Sequence, residues 1–317
     1  MNIVFLDADT IGNTSLAKLQ KLGNLSIYKT TSQDLVVSRA IDADILITNK
    51  VVIDANNLSK LPKLRLVCVA ATGVNNIDLQ ACQKKGVAVY NVKGYSTDSV
   101  AQSVFTSLFY FLSNISFFDK YVKDGSYSKS PIFTCMDKEY SEVCGKTLGI
   151  IGFGEIGQKV AKIAKAFGIK VVYYSTSGKN DKKGYKRVEL DALLEKSDFV
   201  SLHCSLNENT KNLICADKLK IMNKKAVLIN FARGGIVDEK ALANALNQGV
   251  IAGYISDVFE KEPILSDSPL LSVKEKQKLV LTPHIAWASV EARRRLMDGV
   301  VKNIQSFLND KSDNRVI

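Results

Sequence analysis

The sequence is poor in histidine, tryptophan and proline, with two, one and five of them in 317 residues. With only His203 and His284 to serve as near-neutral acids or bases, each is informative. The six cysteines (Cys68, Cys82, Cys135, Cys144, Cys204, Cys215) form no C-x-x-C pair, and Cys68 lies inside the apolar run Leu66-Val67-Cys68-Val69. They read as reduced core thiols, so neither a disulfide framework nor a metal site is expected. No stretch approaches the roughly 18 uninterrupted apolar residues of a membrane span. The N-terminus runs from Met1–Leu6 into Asp7 and Asp9 without the basic start and apolar core of a signal peptide. The expectation is a globular cytoplasmic chain with no membrane partner.

What is present suits two domains of ordinary size, since 46% of the residues are apolar. The formal charge of +11 comes from dispersed lysines rather than a basic stripe interleaved with aromatics. A nucleic-acid partner is therefore not expected, although a mild positive field would gather small anions.

Short apolar runs alternate with amphipathic stretches through the first hundred residues. Ile3–Leu6, Asp44–Thr48, Leu64–Ala70 and Val87–Tyr90 read as strands of a parallel sheet covered by helices. A long helical pattern from Thr97 to about Lys123, opened by Ser96 and Asp98, reads as a connector. A second series follows, with strands expected at Thr147–Ile151, Lys170–Tyr174, Phe199–Leu202, Ala226–Phe231, Gly253–Val258 and Lys278–Leu281. A last helix, Val290–Leu308, would pack back on the first unit, leaving a polar tail after Asn309. The expected division is 1–98 with 288–317, and 99–287.

The loop Gly152-Phe153-Gly154-Glu155-Ile156-Gly157 leaves a strand-like run and enters a helical one, the context that gives G-x-G-x-x-G its meaning. Gly152 permits the tight turn, Gly154 admits a pyrophosphate, and Gly157 allows close packing. The free N–H groups around Glu155 and Ile156 face the phosphates. The next strand should end in an acid that binds both ribose hydroxyls of NAD, but Ser175, Thr176, Ser177, Gly178 and Lys179 follow it instead. Without that carboxylate the site no longer repels a 2′-phosphate. Ser175, Thr176 and Lys179 would contact one, so NAD(H) is expected and NADP(H) stays open as a second cofactor.

His284, in Thr282-Pro283-His284-Ile285-Ala286-Trp287, follows a strand at a place where open α/β sheets bind ligands. A carbonyl accepts hydride when its oxygen is protonated, and a histidine is the natural donor. Glu262, in Asp257-Val258-Phe259-Glu260-Lys261-Glu262-Pro263, would hold that imidazole. Arg233, in Asn230-Phe231-Ala232-Arg233-Gly234-Gly235, would clamp a carboxylate bidentately.

In the order Arg, Glu, His after a glycine loop, these motifs resemble the D-2-hydroxyacid dehydrogenase family over nearly the whole chain. Leu202-His203-Cys204-Ser205-Leu206-Asn207-Glu208-Asn209-Thr210 is similar to the family's loop beside the cofactor, and Ala71-Thr72-Gly73-Val74-Asn75-Asn76-Ile77-Asp78 matches its first domain. The resemblance implies two Rossmann-like, doubly wound parallel-sheet domains with a cleft between them. The substrate domain would be flavodoxin-like and discontinuous.

It further implies that Arg233 binds the 2-oxo acid, His284 is the acid/base and Glu262 tunes it. His203, Cys204, Thr210, Phe231, Ala232 and Asp257 would lie along the cofactor, Asp257 at the nicotinamide carboxamide. Asn49, Lys50, Gly73 and Val74 would receive the substrate carboxylate.

Asn91–Gln102 and Thr282–Ala288 look most like glycerate dehydrogenases, also called hydroxypyruvate reductases. The chain departs from them at Ser103, Ser205 and Met136, the last near the place of a pocket tryptophan, which puts pocket size in doubt. A phosphoglycerate dehydrogenase is the alternative enzyme, and a nucleotide-sensing corepressor the alternative from another class. Formate dehydrogenases carry Gln at the position of Glu262. The resemblance also implies a homodimer, with Thr106–Phe118 offering apolar surface.

Overall fold

Ile3–Phe5, Ile45–Thr48 and Leu66–Val69 are continuous apolar runs, which need cover on both faces. In the computed structural model, which describes residues 1–178 and 181–317, they form the middle of a parallel sheet. Its strands are β1 (Asn2–Phe5), β2 (Asn24–Ile27), β3 (Ile45–Thr48), β4 (Leu66–Val69) and β5 (Ala88–Tyr90), in the order β2-β1-β3-β4-β5. Every pairing is parallel, and this is the flavodoxin-like order. Alternate residues serve opposite faces. Val4, Leu46 and Val67 pack with Val36, Leu58 and Leu61 on one side, while Ile3, Phe5, Ile45 and Leu66 form the other core. The covering helices are short: α1 (Ala17–Gln20), α2 (Val36–Ala40), α3 (Ala55–Ser59) and α4 (Leu79–Lys85). Asp54 and Asp78 cap α3 and α4, each accepting a backbone N–H at 2.9 Å.

The long helix expected between Thr97 and Lys123 is two helices, α5 (Thr97–Ser113) and α6 (Ile115–Lys123). Asn114 between them takes the left-handed conformation at φ 52°, which a short polar side chain tolerates and a helix interior does not. The second sheet contains β6 (Thr147–Ile151), β7 (Lys170–Tyr174), β8 (Lys186–Arg187), β9 (Phe199–Leu202), β10 (Val227–Asn230), β11 (Gly253–Ser256) and β12 (Leu279–Leu281). Among the described residues its order is β12-β11-β10-β9-β6-β7-β8, again parallel throughout. Counted from β6, this is the Rossmann order with one added strand. Helices α7 (Glu155–Ala166), α8 (Leu190–Lys196), α9 (Ala216–Ile221) and α10 (Glu239–Asn247) connect it.

The last helix, α11 (Val290–Leu308), starts at Ser289, whose hydroxyl accepts the Ala292 N–H. Its Ala292, Leu296, Val300 and Ile304 face one way at helical spacing and join the core of Ile3 and Phe5. Full burial of each larger aliphatic side chain is worth about 1.5–3 kcal/mol. Because α11 packs there, the chain divides into Met1–Ser96 with Trp287–Ile317, and Thr97–Ala286. The tail after Asn309 is a covering segment rather than a loose end. Val316 N–H donates to the Val89 carbonyl at 2.8 Å, Tyr90 bridges Arg315, and Asn314 donates to Asn303. It occupies the edge of β5 that would otherwise present unpaired groups. Among the described residues no helix is long and apolar enough to cross a membrane, and no group of three metal-ligating side chains gathers.

Candidate active site

β6 has β7 on one side and β9 on the other, so the strand order reverses at its carboxyl end, where open α/β sheets bind ligands. The glycine loop sits there. Gly152 has φ +90°, and a Cβ on it would lie 2.6 Å from Cys204 N and 2.7 Å from the His203 carbonyl carbon. A Cβ on Gly157 would lie 2.4 Å from the Gly152 carbonyl, so α7 packs on the turn only because no side chain intervenes. At Gly154 nothing lies within 4 Å of that position. This open space stands at the start of α7, whose first N–H groups have no carbonyl of their own helix to meet. Small residues at two crowded points and a vacant approach at the third fit a dinucleotide pyrophosphate at Gly154, Glu155 and Ile156.

After β7 comes Ser175, buried, then Thr176, half-buried. Lys179 lies outside the described residues. Arg187 on β8, which sequence reading did not pick out, donates from Nη1 to the Gly178 carbonyl at 3.0 Å. After β9, His203 Nε2 lies 2.8 Å from Ser201 Oγ, and its buried Nδ1 has no hydrogen-bond partner among the described residues. Burial pushes its pKa down to about 3, so its ring is neutral near pH 7. Burial likewise pushes the Cys204 thiol up to about 11. Thr210 is a clasp within that loop: its hydroxyl donates to the Ser205 carbonyl at 2.7 Å and accepts the Asn207 N–H at 2.8 Å.

The turn after β10 is held by Asn230, whose side chain accepts from Ala232 N at 3.1 Å and donates to the Arg233 carbonyl at 3.0 Å. Phe231 and Ala232 are buried, and half-buried Arg233 donates from Nη1 to the Ala232 carbonyl at 2.8 Å. Gly234 fixes where this turn lies. A Cβ there would stand 1.8 Å from the Phe259 carbonyl oxygen and 2.6 Å from Glu260 N, so the arginine turn presses on the turn that carries Glu262. Glu239, first in α10 and buried, adds a second tie by accepting the Glu260 N–H at 2.7 Å. Burial raises its carboxyl above the ordinary value, while the Glu260 N–H opposes that rise.

Glu262 accepts the Phe259 N–H at 3.1 Å, and its other oxygen lies 2.7 Å from His284 Nδ1. His284 itself has φ 53°, an uncommon conformation outside glycine that histidine adopts more readily than most residues. Asp257 at the end of β11 holds it there. One of its oxygens accepts from Thr282 Oγ1 at 2.6 Å and from Ile285 N at 2.9 Å, and the other accepts from Ala286 N at 2.8 Å. Burial raises the Asp257 carboxyl, and those three bonds pull the other way. The buried carboxylate thus brackets the histidine turn from both sides, a role that sequence reading did not assign.

In the first unit, Asn49 and Lys50 follow β3 on a turn wrapped around the buried Asp7. Its carboxylate accepts from Asn49 N at 2.9 Å, Lys50 N at 2.7 Å and Val51 N at 3.3 Å. The Asn76 side chain donates to the Val51 carbonyl at 3.0 Å, joining this turn to the loop of half-buried Gly73 and Val74. Asp7 was not anticipated; an acid at the end of the first strand, opposite a polar turn, was the available signal. Met136 is 74% exposed on the surface of its unit.

A glycine loop at a sheet switch point, with an acid-held histidine and an arginine turn on neighbouring strands, defines a dinucleotide-dependent oxidoreductase. The sequence profile described as "D-isomer specific 2-hydroxyacid dehydrogenase, NAD binding domain" matches residues 105–286. The chain is 37% identical over 324 residues to a hydroxypyruvate reductase of Blautia hydrogenotrophica, covering 100% of this chain and 99% of that one. It is 36% identical over 315 residues to a glycerate dehydrogenase of Methylorubrum extorquens, covering 99% and 98%. Among solved structures, an acyclic imino acid reductase in complex with NADPH and D-Arg matches with a TM-score of 0.88 at 30% identity, covering all of both chains. The chain belongs to the D-isomer-specific 2-hydroxyacid dehydrogenase family, and its second unit is that family's NAD-binding domain.

Proposed function

We propose that this chain reversibly reduces a small 2-oxo acid of the hydroxypyruvate and glyoxylate class to the 2-hydroxy acid, D-glycerate or glycolate. The observation that carries the reading is the Glu262–His284 pair at 2.7 Å, set on a turn that Asp257 holds rigid. Likeness to a hydroxypyruvate reductase and a glycerate dehydrogenase over nearly full length supports the substrate class.

In this reading Gly152, Gly154, Glu155, Ile156 and Gly157 hold the pyrophosphate. Ser175 and Thr176 meet the adenosine ribose, and His203, Cys204, Thr210, Phe231 and Ala232 shape the walls. Bound there, reduced nicotinamide supplies the hydride. Arg233 pairs with the substrate carboxylate and turns C2 toward the incoming hydride; the Asn49–Lys50 turn and the Gly73–Val74 loop of the first unit are suited by themselves to receiving a carboxylate. Glu262 accepts from Nδ1, orients the ring and compensates the charge of the imidazolium, which leaves Nε2 to deliver a proton to O2. Asp257 acts through the histidine turn as well as at the carboxamide. One hydride at C2 and one proton at O2 make the alcohol and leave the imidazole neutral.

The working form in this reading is a cytoplasmic homodimer. Ile115, Val122, Ile132, Phe133, Met136 and Tyr140 of the second unit are all more than half exposed, a large apolar surface for a monomer to leave in water. Light scattering at twice the 34.8 kDa chain mass is the expected result. The activity is tested by following NADH and NADPH oxidation with hydroxypyruvate, glyoxylate, pyruvate and phosphohydroxypyruvate. Turnover highest on the first two is expected, and no oxidation with any of them overturns the reading.

A further inference from the structure

We propose that Glu239 is a positioning residue for the reaction: it fastens the turn that carries Glu262 to the body of the second unit, and the hold of Glu262 on His284 depends on that fastening. This role rests on the reading of His284 as the proton donor, and Glu239 acts through Glu262 rather than on the substrate. One bond of Glu262 is local, its carboxylate accepting the Phe259 N–H at 3.1 Å, while its other oxygen lies 2.7 Å from His284 Nδ1. A bond so close in sequence moves with the turn and does not place the turn against the strand ends. The next N–H along, that of Glu260, donates at 2.7 Å to Glu239, which is 21 residues away at the start of α10. Two successive donors of one turn thus meet two carboxylates. The first keeps Glu262 on its turn, and the second keeps the turn on the unit.

The anchoring end is itself well held. Asp238 caps α10 by accepting the Ala241 N–H at 2.9 Å. The segment that leads to it is bonded to the loop after β9. Asn212 N–H donates to the Gly235 carbonyl at 2.8 Å, Ile214 N–H to the Ile236 carbonyl at 3.1 Å, and Asp238 N–H to the Ile214 carbonyl at 3.1 Å. Ile214, Ile236, Val237 and Leu242 belong to the core. The turn being held is the opposite case. Glu260, Lys261, Glu262 and Pro263 are all exposed, so burial does little to place them.

The residue type points the same way. A buried glutamate is uncommon and costs desolvation unless its carboxylate is bonded. Glu239 is buried, and among the described residues the charges that bear on it are those of Glu260 and Glu262, both acids, so no cation among them accounts for the carboxylate. Alanine or leucine would continue α10 better. Neither could accept the Glu260 N–H, and the first turn of a helix is where an acid is best tolerated.

The consequence falls on the imidazole. With Glu262 accepting from Nδ1, the neutral ring keeps its proton on Nδ1 and leaves Nε2 for the substrate oxygen. A turn released from Glu239 carries Glu262 away from the ring, and the other tautomer becomes accessible. The loss appears in turnover, because the glycine loop lies on a different turn and shares none of these bonds.

The test reads the ring and the rate in full-chain variants. The chain has two histidines, so magnetic resonance of labelled ring nitrogens gives two sets of signals, and His203, neutral and beside Ser201, is the internal control. At about pH 9, where free imidazoles are neutral, the wild type is expected to show His284 as the Nδ1–H tautomer. Glu239→Ala should turn that signal into a mixture of tautomers and leave His203 unmoved. It should also lower kcat about tenfold or more while KM for NADH changes less than about twofold. Glu239→Gln, whose amide oxygen still accepts the Glu260 N–H, should rescue most of the loss. Glu239→Asp keeps the charge but stops one methylene short, and should behave like the alanine variant. Should Glu239→Ala not fold, the Gln and Asp variants decide alone. Wild-type ring signals in Glu239→Ala, or an Asp variant that outperforms Gln, overturn the proposal. The ring spectra need no substrate, so a chain that reduced no 2-oxo acid would sink the proposed function and leave them standing.

Discussion

Replacing Gly234 with alanine tests whether backbone contact between two turns sets the catalytic geometry. The added Cβ would stand 1.8 Å from the Phe259 carbonyl oxygen and 2.1 Å from its carbon, whereas real Cβ contacts essentially never fall under 3.0 Å. The partner is backbone, so no side chain can swing aside, and the arginine turn and the glutamate turn must part by roughly 1.2 Å or more. Crowding of this kind costs about 1–3 kcal/mol, or roughly 3–10 °C of melting temperature for a unit of this size. The larger effect falls on chemistry. The Glu262–His284 bond is 2.7 Å long, and a displacement of about 1 Å at a reacting group costs on the order of a hundredfold in rate. The glycine loop lies on a different turn and should be spared. Gly234→Ala should therefore lower kcat/KM about a hundredfold while NADH affinity, read by nicotinamide fluorescence, changes less than about threefold. Wild-type turnover with an unchanged melting curve would refute the reasoning.

Two further perturbations probe other parts of the account. Asp7→Asn takes the negative acceptor from the N–H groups of Asn49, Lys50 and Val51, each bond to a charged group being worth about 1.5–3 kcal/mol. It should raise KM for the 2-oxo acid about tenfold and change kcat less than threefold in steady-state assays; a change in kcat alone would count against a binding role for that turn. His203 has a folded-state pKa of about 3, below the ordinary 6.5, so its contribution to stability is full above pH 6.5 and is lost as pH falls toward 3. His203→Gln should accordingly resist acid better, with the circular dichroism midpoint of acid unfolding moved down by about half a pH unit. Coincident acid-unfolding curves would contradict the neutral buried ring.

The central strands were legible because continuous apolar runs such as Ile45–Thr48 and Leu66–Val69 have few alternatives to a parallel sheet covered on both faces. The edge strands β5 and β12 were legible too, but the edge strands β2 and β8 were not. β2 (Asn24–Ile27) is mostly exposed and β8 (Lys186–Arg187) is exposed at both residues, so burial left no periodic signal in either. Asn114 broke a helix whose hydrophobic pattern runs straight through it, since a left-handed residue leaves no trace in spacing. At the site, Arg233, Glu262 and His284 were readable as reactive residue types at the ends of strands. Gly234, Glu239 and Asp7 were not, because what they do is accept or make room for backbone atoms distant in sequence. The Gly234-Gly235 pair after the arginine was the one visible hint.

The central claim is that His284, held by Glu262 and the Asp257-bracketed turn, is the proton donor to the substrate oxygen. Single-turnover reduction of hydroxypyruvate by His284→Ala, set beside NADH binding to the same protein, tests it most directly. The account predicts a rate lower by about 10²–10⁴-fold with NADH affinity essentially unchanged. A rate within about threefold of wild type would contradict it.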